Sequence, residues 1–325
     1  MAQRPVEPRD SSRLFILHRL NGGYEHKQFF DIDDYLKAGD LLVVNRSRVV
    51  PARLHGKKVP SGGRVEILLL EKVDLLRWKA LVGGKRLKTG TNIQIKEGVT
   101  AEIADDLGGA QREIVFSSPV EEMLSVVGQM PLPPYITEPL KDAERYQTVY
   151  SKELGSAAAP TAGLHFTPHL IEGLKEKEVD FAEVLLHVGL DTFAPVSEID
   201  PGEHKIHSEW CRLSPETAEA INACWERGGR IVAVGTTTVR VLETAARVAS
   251  GREIRSFEGR TKLFILPGYE FKIVDAMITN FHLPRSTLLM LVCAFAGRET
   301  ILHAYRKAID MNYRFYSFGD AMLIL

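Results

Sequence analysis

The sequence predicts an α/β layer fold into which a small β-domain is inserted. Strand-like and helix-like segments alternate after residue 134, glycine-punctuated β runs fill 56–120, and an apolar strand-like run at 41–44 lies ahead of that block. The expected division is a discontinuous α/β domain of residues 1–56 and 131–325 around an insertion at 57–130. A length of 325 residues suits two domains, and 45% hydrophobic with 26% charged residues is ordinary globular composition, which excludes disordered and fibrous chains.

Each element follows from local signals. In the insertion, β runs at 65–70, 77–82, 92–95 and 113–116 are separated by Ser61-Gly62-Gly63, Gly83-Gly84, Thr89-Gly90 and Gly108-Gly109, the pattern of a small barrel or sandwich. Pro131, Pro133 and Pro134 mark a linker. Thr167 before Pro168 is a helix cap with proline at the first helical position, and 181–188 reads as a buried strand. Ser214 and Pro215 repeat the start signal for a helix with Ala218, Ile221 and Trp225 on one face. Gly228-Gly229 ends it before a strand at 230–234. A strand-turn-helix unit over 231–249 follows, then a strand at 262–266, a long helix from 287 through 306 and a last strand at 321–325.

Net charge is −1, so the whole chain is no polycation. Between Arg46 and Lys96, however, thirteen Lys or Arg face three acids, Glu66, Glu71 and Asp74. Such a segment suits a phosphate-backbone partner through counterion release, and it equally suits a solvated strand face. Cys211, Cys224 and Cys293 share no C-x-x-C spacing, which leaves no disulfide framework or zinc ribbon. The longest apolar run, 288–296, is far shorter than the ~20 residues of a membrane helix, and residues 1–10 lack a signal-peptide core, so a cytoplasmic protein without a membrane span is expected.

Familiar dinucleotide, P-loop, zincin and serine-hydrolase signatures are absent. The chemistry-bearing residues sit instead on a set of turns. His165 follows the small-residue turn Pro160-Thr161-Ala162-Gly163 at a helix start, suited to a polar or anionic ligand or merely to backbone sterics. His187 and Gly189 close the strand at 181–188, where open α/β sheets place ligands, although a histidine there is commonly a core or rim residue. In an extended segment His207 and Glu209 share a face while His204 points away, which favours an acid–base pair over a metal site. Gly235-Thr236-Thr237 joins a strand to a helix and can hold a ribose or carboxylate, or can serve only as a cap. Arg240 and Glu243 read as a solvated i, i+3 pair. Asn280 and His282 share a face ahead of another proline-bearing loop.

Together these segments resemble the S-adenosylmethionine:tRNA ribosyltransferase-isomerase family of queuosine biosynthesis. The matching motifs are Tyr146-Gln147-Thr148-Val149-Tyr150, the turn from Ala159 to Thr167, Leu186-His187-Val188-Gly189 with Thr192-Phe193, His207-Ser208-Glu209, Val234-Gly235-Thr236-Thr237, Thr279 to Thr287, and Asn45 to Leu54. They run collinearly over nearly the whole chain. The resemblance implies a mixed barrel-like α/β domain with an inserted small antiparallel β-barrel, in a cytoplasmic monomer. It implies transfer and isomerisation of the ribosyl part of S-adenosylmethionine onto 7-aminomethyl-7-deazaguanine at the tRNA wobble position, giving epoxyqueuosine-tRNA, adenine and methionine. Asp191 and Ala194 depart from the family's usual glycine and basic residue, and the resemblance implies a further strand and helix ahead of the segment matching Ala2-Gln3-Arg4-Pro5, so a start short of the family pattern is expected.

Chemistry of that kind needs a base for the C5′ hydrogens acidified by the sulfonium, an acid for departing adenine and a site that holds the tRNA amine close. It calls for S-adenosylmethionine as substrate and for no metal. Acid–base work is therefore expected of His165, His187, His207, Glu209 and His282, with base and acid not distinguished. Pro160, Thr161, Ala162, Gly163, Gly235, Thr236, Thr237 and Asn280 are expected to hold the ribose and methionine ends of the donor. Arg48, Arg53, Lys57, Lys58, Lys85, Arg86 and Arg145 are expected on tRNA phosphates, with Tyr146 or Phe193 stacked on the flipped base. Two other functions fit the residues alone: a non-catalytic RNA-binding protein, and a nucleotide-binding transferase or hydrolase of small molecules.

Overall fold

A computed structural model of the chain describes residues 1–189, 196–198, 200–204, 206, 208–249 and 253–325. They form two compact units, Met1–Arg48 with Pro133–Leu325, and Val49–Leu132. The smaller unit begins at 49 rather than at the expected 57 because Arg53–Val59 is one of its strands.

The larger unit is built on a nine-stranded mixed sheet. Its order is Phe257–Thr261, Glu209–Leu213, Asp180–Leu186, Leu41–Asn45, Ile231–Val234, Ala276–Asn280, Ala321–Ile324, Arg13–His18 and Gly23–Gln28. The four strands from Asp180–Leu186 to Ala276–Asn280 are mutually parallel, so their carboxyl ends share one edge of the sheet. Their apolar composition follows from burial on both faces. Within Leu41–Asn45, Leu41 and Val43 enter one core and Leu42 and Val44 the other, as the two-residue strand period demands. Helices Pro215–Glu226, Thr236–Val248, Thr287–Ala296 and Arg298–Asp310 cover the first face, while Pro168–Glu176 and the turn Phe29–Asp34 cover the second.

Two elements differ from expectation. The helix expected through 287–306 breaks at Gly297, whose φ of 85° closes Thr287–Ala296 and caps Arg298–Asp310, and the axis turns by 112°. The strand expected at 262–266 lies at Phe257–Thr261, which pairs with Glu209–Leu213; Leu263 and Ile265 are buried in the following loop instead. Among the described residues no single helix is long and apolar enough to cross a membrane. The three cysteines are free and buried.

The smaller unit is a closed six-stranded antiparallel barrel ordered Gln111–Phe116, Arg77–Gly83, Arg64–Lys72, Arg53–Val59, Asn92–Lys96 and Val99–Gly108. Closure removes exposed strand edges, and Leu54, Ile67, Ala80, Ile93, Ile103 and Ile114 fill the interior.

Candidate active site

The parallel strands deliver polar residues to their shared carboxyl edge, the place where open α/β sheets bind ligands. Asn45 ends one strand and ties it to the next: its Nδ2 donates to the Leu186 carbonyl at 3.1 Å, and its Oδ1 accepts from Leu186 N–H at 3.2 Å. Ile231–Val234 passes into Gly235, whose φ of 89° and ψ of 152° are accessible essentially only to glycine, and then directly into helix Thr236–Val248. Ala276–Asn280 ends in the Asn280–His282 turn. From across the sequence, the Pro160 turn packs against the same edge.

One pocket gathers these turns. It is lined by Ala158 to Ala162, Val188, Gly235 to Thr237, Thr279, Asn280, His282 and Leu288. Thr236 and Thr237 present the first turn of a thirteen-residue helix, with its unpaired N–H groups and positive dipole end. The helix expected after His165 begins at Pro168 under the cap Thr167, as the sequence indicates, and residues Thr161–His165 ahead of it form a 3₁₀ turn.

The five acid–base candidates have distinct surroundings. His165 is 5% exposed, with Nδ1 2.7 Å from Ser12 Oγ and Nε2 3.2 Å from Asn280 Nδ2. An amide nitrogen can only donate, so Nε2 is the acceptor and Nδ1 carries the proton. Burial, followed by the Arg314 and Arg9 charges, lowers the His165 pKa to about 3. The ring is therefore neutral, with both nitrogens engaged. His282 faces the pocket with Nε2 2.7 Å from Thr279 Oγ1, and burial lowers its pKa to about 4. His187 stacks on Trp210 at 5.2 Å and is not among the pocket's lining residues, with its pKa lowered chiefly by burial. Glu209 accepts from Gly189 N–H at 2.9 Å and is ion-paired with Arg240. His207 lies outside the described residues.

Arg240 and Glu243 are not a solvated pair. Both are buried: Arg240 meets Glu209, and Glu243 accepts from the Tyr269 hydroxyl and from the N–H groups of Lys272, Ile273 and Val274. Tyr146 is fully buried against Phe318 and has no face free to stack on a base. Phe193, Asp191 and Ala194 lie outside the described residues. Among the described residues no group of three or more His, Cys, Asp or Glu side chains is placed to hold a metal.

The cationic residues divide into engaged and available. Arg48 pairs with Glu144 and donates to Ser151 Oγ at 3.0 Å, Arg145 pairs with Glu7, and Arg53 pairs with Glu66. These three are therefore held by internal acids. Lys57, Lys85 and Arg86 are exposed, and Lys58 Nζ donates to the Lys85 carbonyl at 2.7 Å, drawing the 85–88 turn beside strand Arg53–Val59.

The profile of the queuosine biosynthesis protein family matches residues 1–324. The chain belongs to that family. It is 53% identical to the S-adenosylmethionine:tRNA ribosyltransferase-isomerase of Symbiobacterium thermophilum, over 100% of this chain and 96% of that one. It is 54% identical to the enzyme of the same name from Heliobacterium modesticaldum, with the same coverage. The crystal structure of S-adenosylmethionine tRNA ribosyltransferase from Thermotoga maritima is similar with a TM-score of 0.58 at 43% identity, covering 100% of this chain and 96% of that one.

In this member of the family, sequence reasoning missed Ser12, the Glu209 pairing of Arg240, and Tyr316, whose carbonyl accepts from Asn280 Nδ2 at 3.3 Å. Asn45 carried a usable signal, being a polar residue that closes an otherwise apolar strand, as do His187 and Asn280. Ser12 carried none.

Proposed function

We propose that this chain transfers and isomerises the ribosyl moiety of S-adenosylmethionine onto 7-aminomethyl-7-deazaguanine at the wobble position of tRNA, yielding epoxyqueuosine-tRNA, adenine and methionine. The observation that carries the reading is the convergence of the Pro160, Gly235 and Asn280–His282 turns on one pocket at the carboxyl edge of the sheet. The names of the relatives supply the reaction class.

The nucleoside of the donor occupies that pocket. Thr236 and Thr237 offer hydroxyls and helix N–H groups to the ribose, and Asn280 offers its amide. His165 works through Asn280: by accepting from Nδ2 it turns the Asn280 carbonyl oxygen, which has no partner among the described residues, away from itself. His282, neutral and at the pocket wall, takes the C5′ proton as the sulfonium acidifies it, and His207 is the second proton-transfer group, serving adenine as its N-glycosidic bond breaks. His187 and Glu209 shape the cleft beside it. Adenine departs with the electron pair of its N-glycosidic bond and gains a proton, and the tRNA amine gives up a proton as it bonds to the ribosyl unit. Methionine leaves C5′ as a neutral thioether when a ribosyl oxygen attacks C5′ and closes the epoxide. The exposed cations Lys57, Lys85 and Arg86 meet tRNA phosphates. The protein works in the cytoplasm as a monomer.

Free adenine tests this reading. Incubated with S-adenosylmethionine and tRNA bearing the aminomethyl-deazaguanine, the protein releases adenine in step with epoxyqueuosine formation, and releases none when the tRNA is omitted. Adenine release independent of tRNA points to a small-molecule enzyme, and no release in either case to a non-catalytic RNA binder.

A further inference from the structure

Helix Thr236–Val248 carries two buried ionisable residues, and only one of them is fully satisfied. Glu243 has the Tyr269 hydroxyl and three backbone N–H groups. Arg240, 7% exposed, donates Nε to the Leu263 carbonyl at 3.2 Å and Nη1 to Glu209, but its buried Nη2 meets no acceptor among the described residues. A buried charged donor left without a partner is costly, and it is the kind of group a ligand completes.

Arg240 and Glu209 line a cavity together with His204, Thr287 and the apolar side chains Leu263 and Leu291. This cavity adjoins the nucleoside pocket: Val188 lines the one and Gly189 the other, and Leu288 lines both. We infer that Arg240 Nη2 binds the α-carboxylate of the donor's amino-acid end, whose methylenes lie along Leu263, Leu288 and Leu291. The inference rests on S-adenosylmethionine being the donor, and it narrows the Pro160 and Gly235 turns to the nucleoside. Charge bookkeeping agrees: Arg240 and Glu209 are already a neutral pair, and an amino-acid zwitterion adds no net charge to the buried site. Glu209 fixes the guanidinium plane, so that the outer nitrogen presents a charged hydrogen bond in a set direction.

Decarboxylated S-adenosylmethionine, which keeps the sulfonium, the amine and the nucleoside, is the probe. Calorimetric titration of the full chain should give at least about a tenfold preference for S-adenosylmethionine, the value of one charged hydrogen bond. The double variant Arg240→Met with Glu209→Gln, which leaves no lone buried charge, should bind both compounds equally, near the wild-type affinity for the decarboxylated one. Arg240→Lys, which keeps the charge without the fork, should fall between, and it decides the matter if the double variant does not fold. Equal binding of the two compounds by the wild type, or a preference preserved in either the double variant or, at full size, in Arg240→Lys, overturns the inference while leaving the donor assignment standing. No binding of either compound to the wild type overturns the donor assignment and this inference with it.

Discussion

His165 shows how burial redefines a residue that its sequence setting offers as a catalyst. Ser12 and Asn280 occupy its two nitrogens, and the ring stacks on Phe29 at 5.0 Å. Its folded pKa of about 3 lies below the unfolded value near 6.5, so the unfolded chain binds a proton that the native one refuses. The stability contributed by the neutral ring is complete above pH 6.5 and is lost as pH falls from there towards 3, at about 1.4 kcal/mol per pH unit. His165→Gln should therefore reduce the slope of unfolding free energy against pH by about that amount between pH 6 and 4, measured by urea denaturation. An unchanged slope would mean that His165 titrates normally in the native protein. At this scale the sequence was informative about which positions matter and silent about their state. His187 and Asn280 stand out as polar residues closing apolar strands and His282 lies in the turn after Asn280, whereas the Arg240–Glu209 pair spans thirty-one residues and two elements, and the burial of Tyr146 depends on Phe318. Pairings of that kind are set by tertiary packing.

At the scale of elements, the parallel strands and the helix starts at Pro168, Pro215 and Thr236 follow from apolar runs and caps that act within a few residues. Strand Phe257–Thr261 was hidden because its ladder partner, Glu209–Leu213, is remote, and FEGRT is less strand-like than the apolar segment after it. That apolar segment is needed elsewhere: the Leu263 carbonyl receives Arg240, and Leu263 and Ile265 enter the core. Barrel strand Arg53–Val59 was masked by its adjacent lysines, of which Lys57 is exposed and Lys58 half-buried, while Leu54 is buried. Glu243 pins the loop at 272–274 to helix Thr236–Val248, and Glu243→Gln, which sets an NH₂ group against backbone donors, should cost about 2–3 kcal/mol in chemical denaturation. A loss within about 0.5 kcal/mol would show that the loop is held by other contacts.

For the molecule as a whole, charge is distributed within the barrel rather than spread over it. Residues 49–132 hold twelve Lys or Arg and ten Asp or Glu; Val99–Gly108 and Gln111–Phe116 carry four of the acids, Glu102, Asp105, Asp106 and Glu113, while Lys57, Lys58 and Arg64 cluster on adjacent strands, with Lys57 opposite Arg64 in register. The positive surface implied by the sequence segment 46–96 is thus narrower than its residue count suggests, because Arg48 and Arg53 are paired with acids. Lys57→Glu with Arg86→Glu should weaken tRNA binding and flatten its dependence on log salt by roughly one unit for each phosphate that is no longer neutralised. Arg53→Glu should lower barrel stability instead, through repulsion with Glu66. Binding unaffected by the double reversal would move the RNA surface elsewhere.

The most direct measurement is donor binding when the pocket is filled from its rim. Thr161 lines the pocket from a half-buried position on a 3₁₀ turn, where a larger side chain need not disturb the sheet. Equilibrium dialysis with labelled S-adenosylmethionine should find one bound molecule per wild-type chain and none on Thr161→Trp, with the circular dichroism spectrum and melting temperature of the variant kept. Undiminished binding by the folded variant would contradict the convergence of these turns on a donor site.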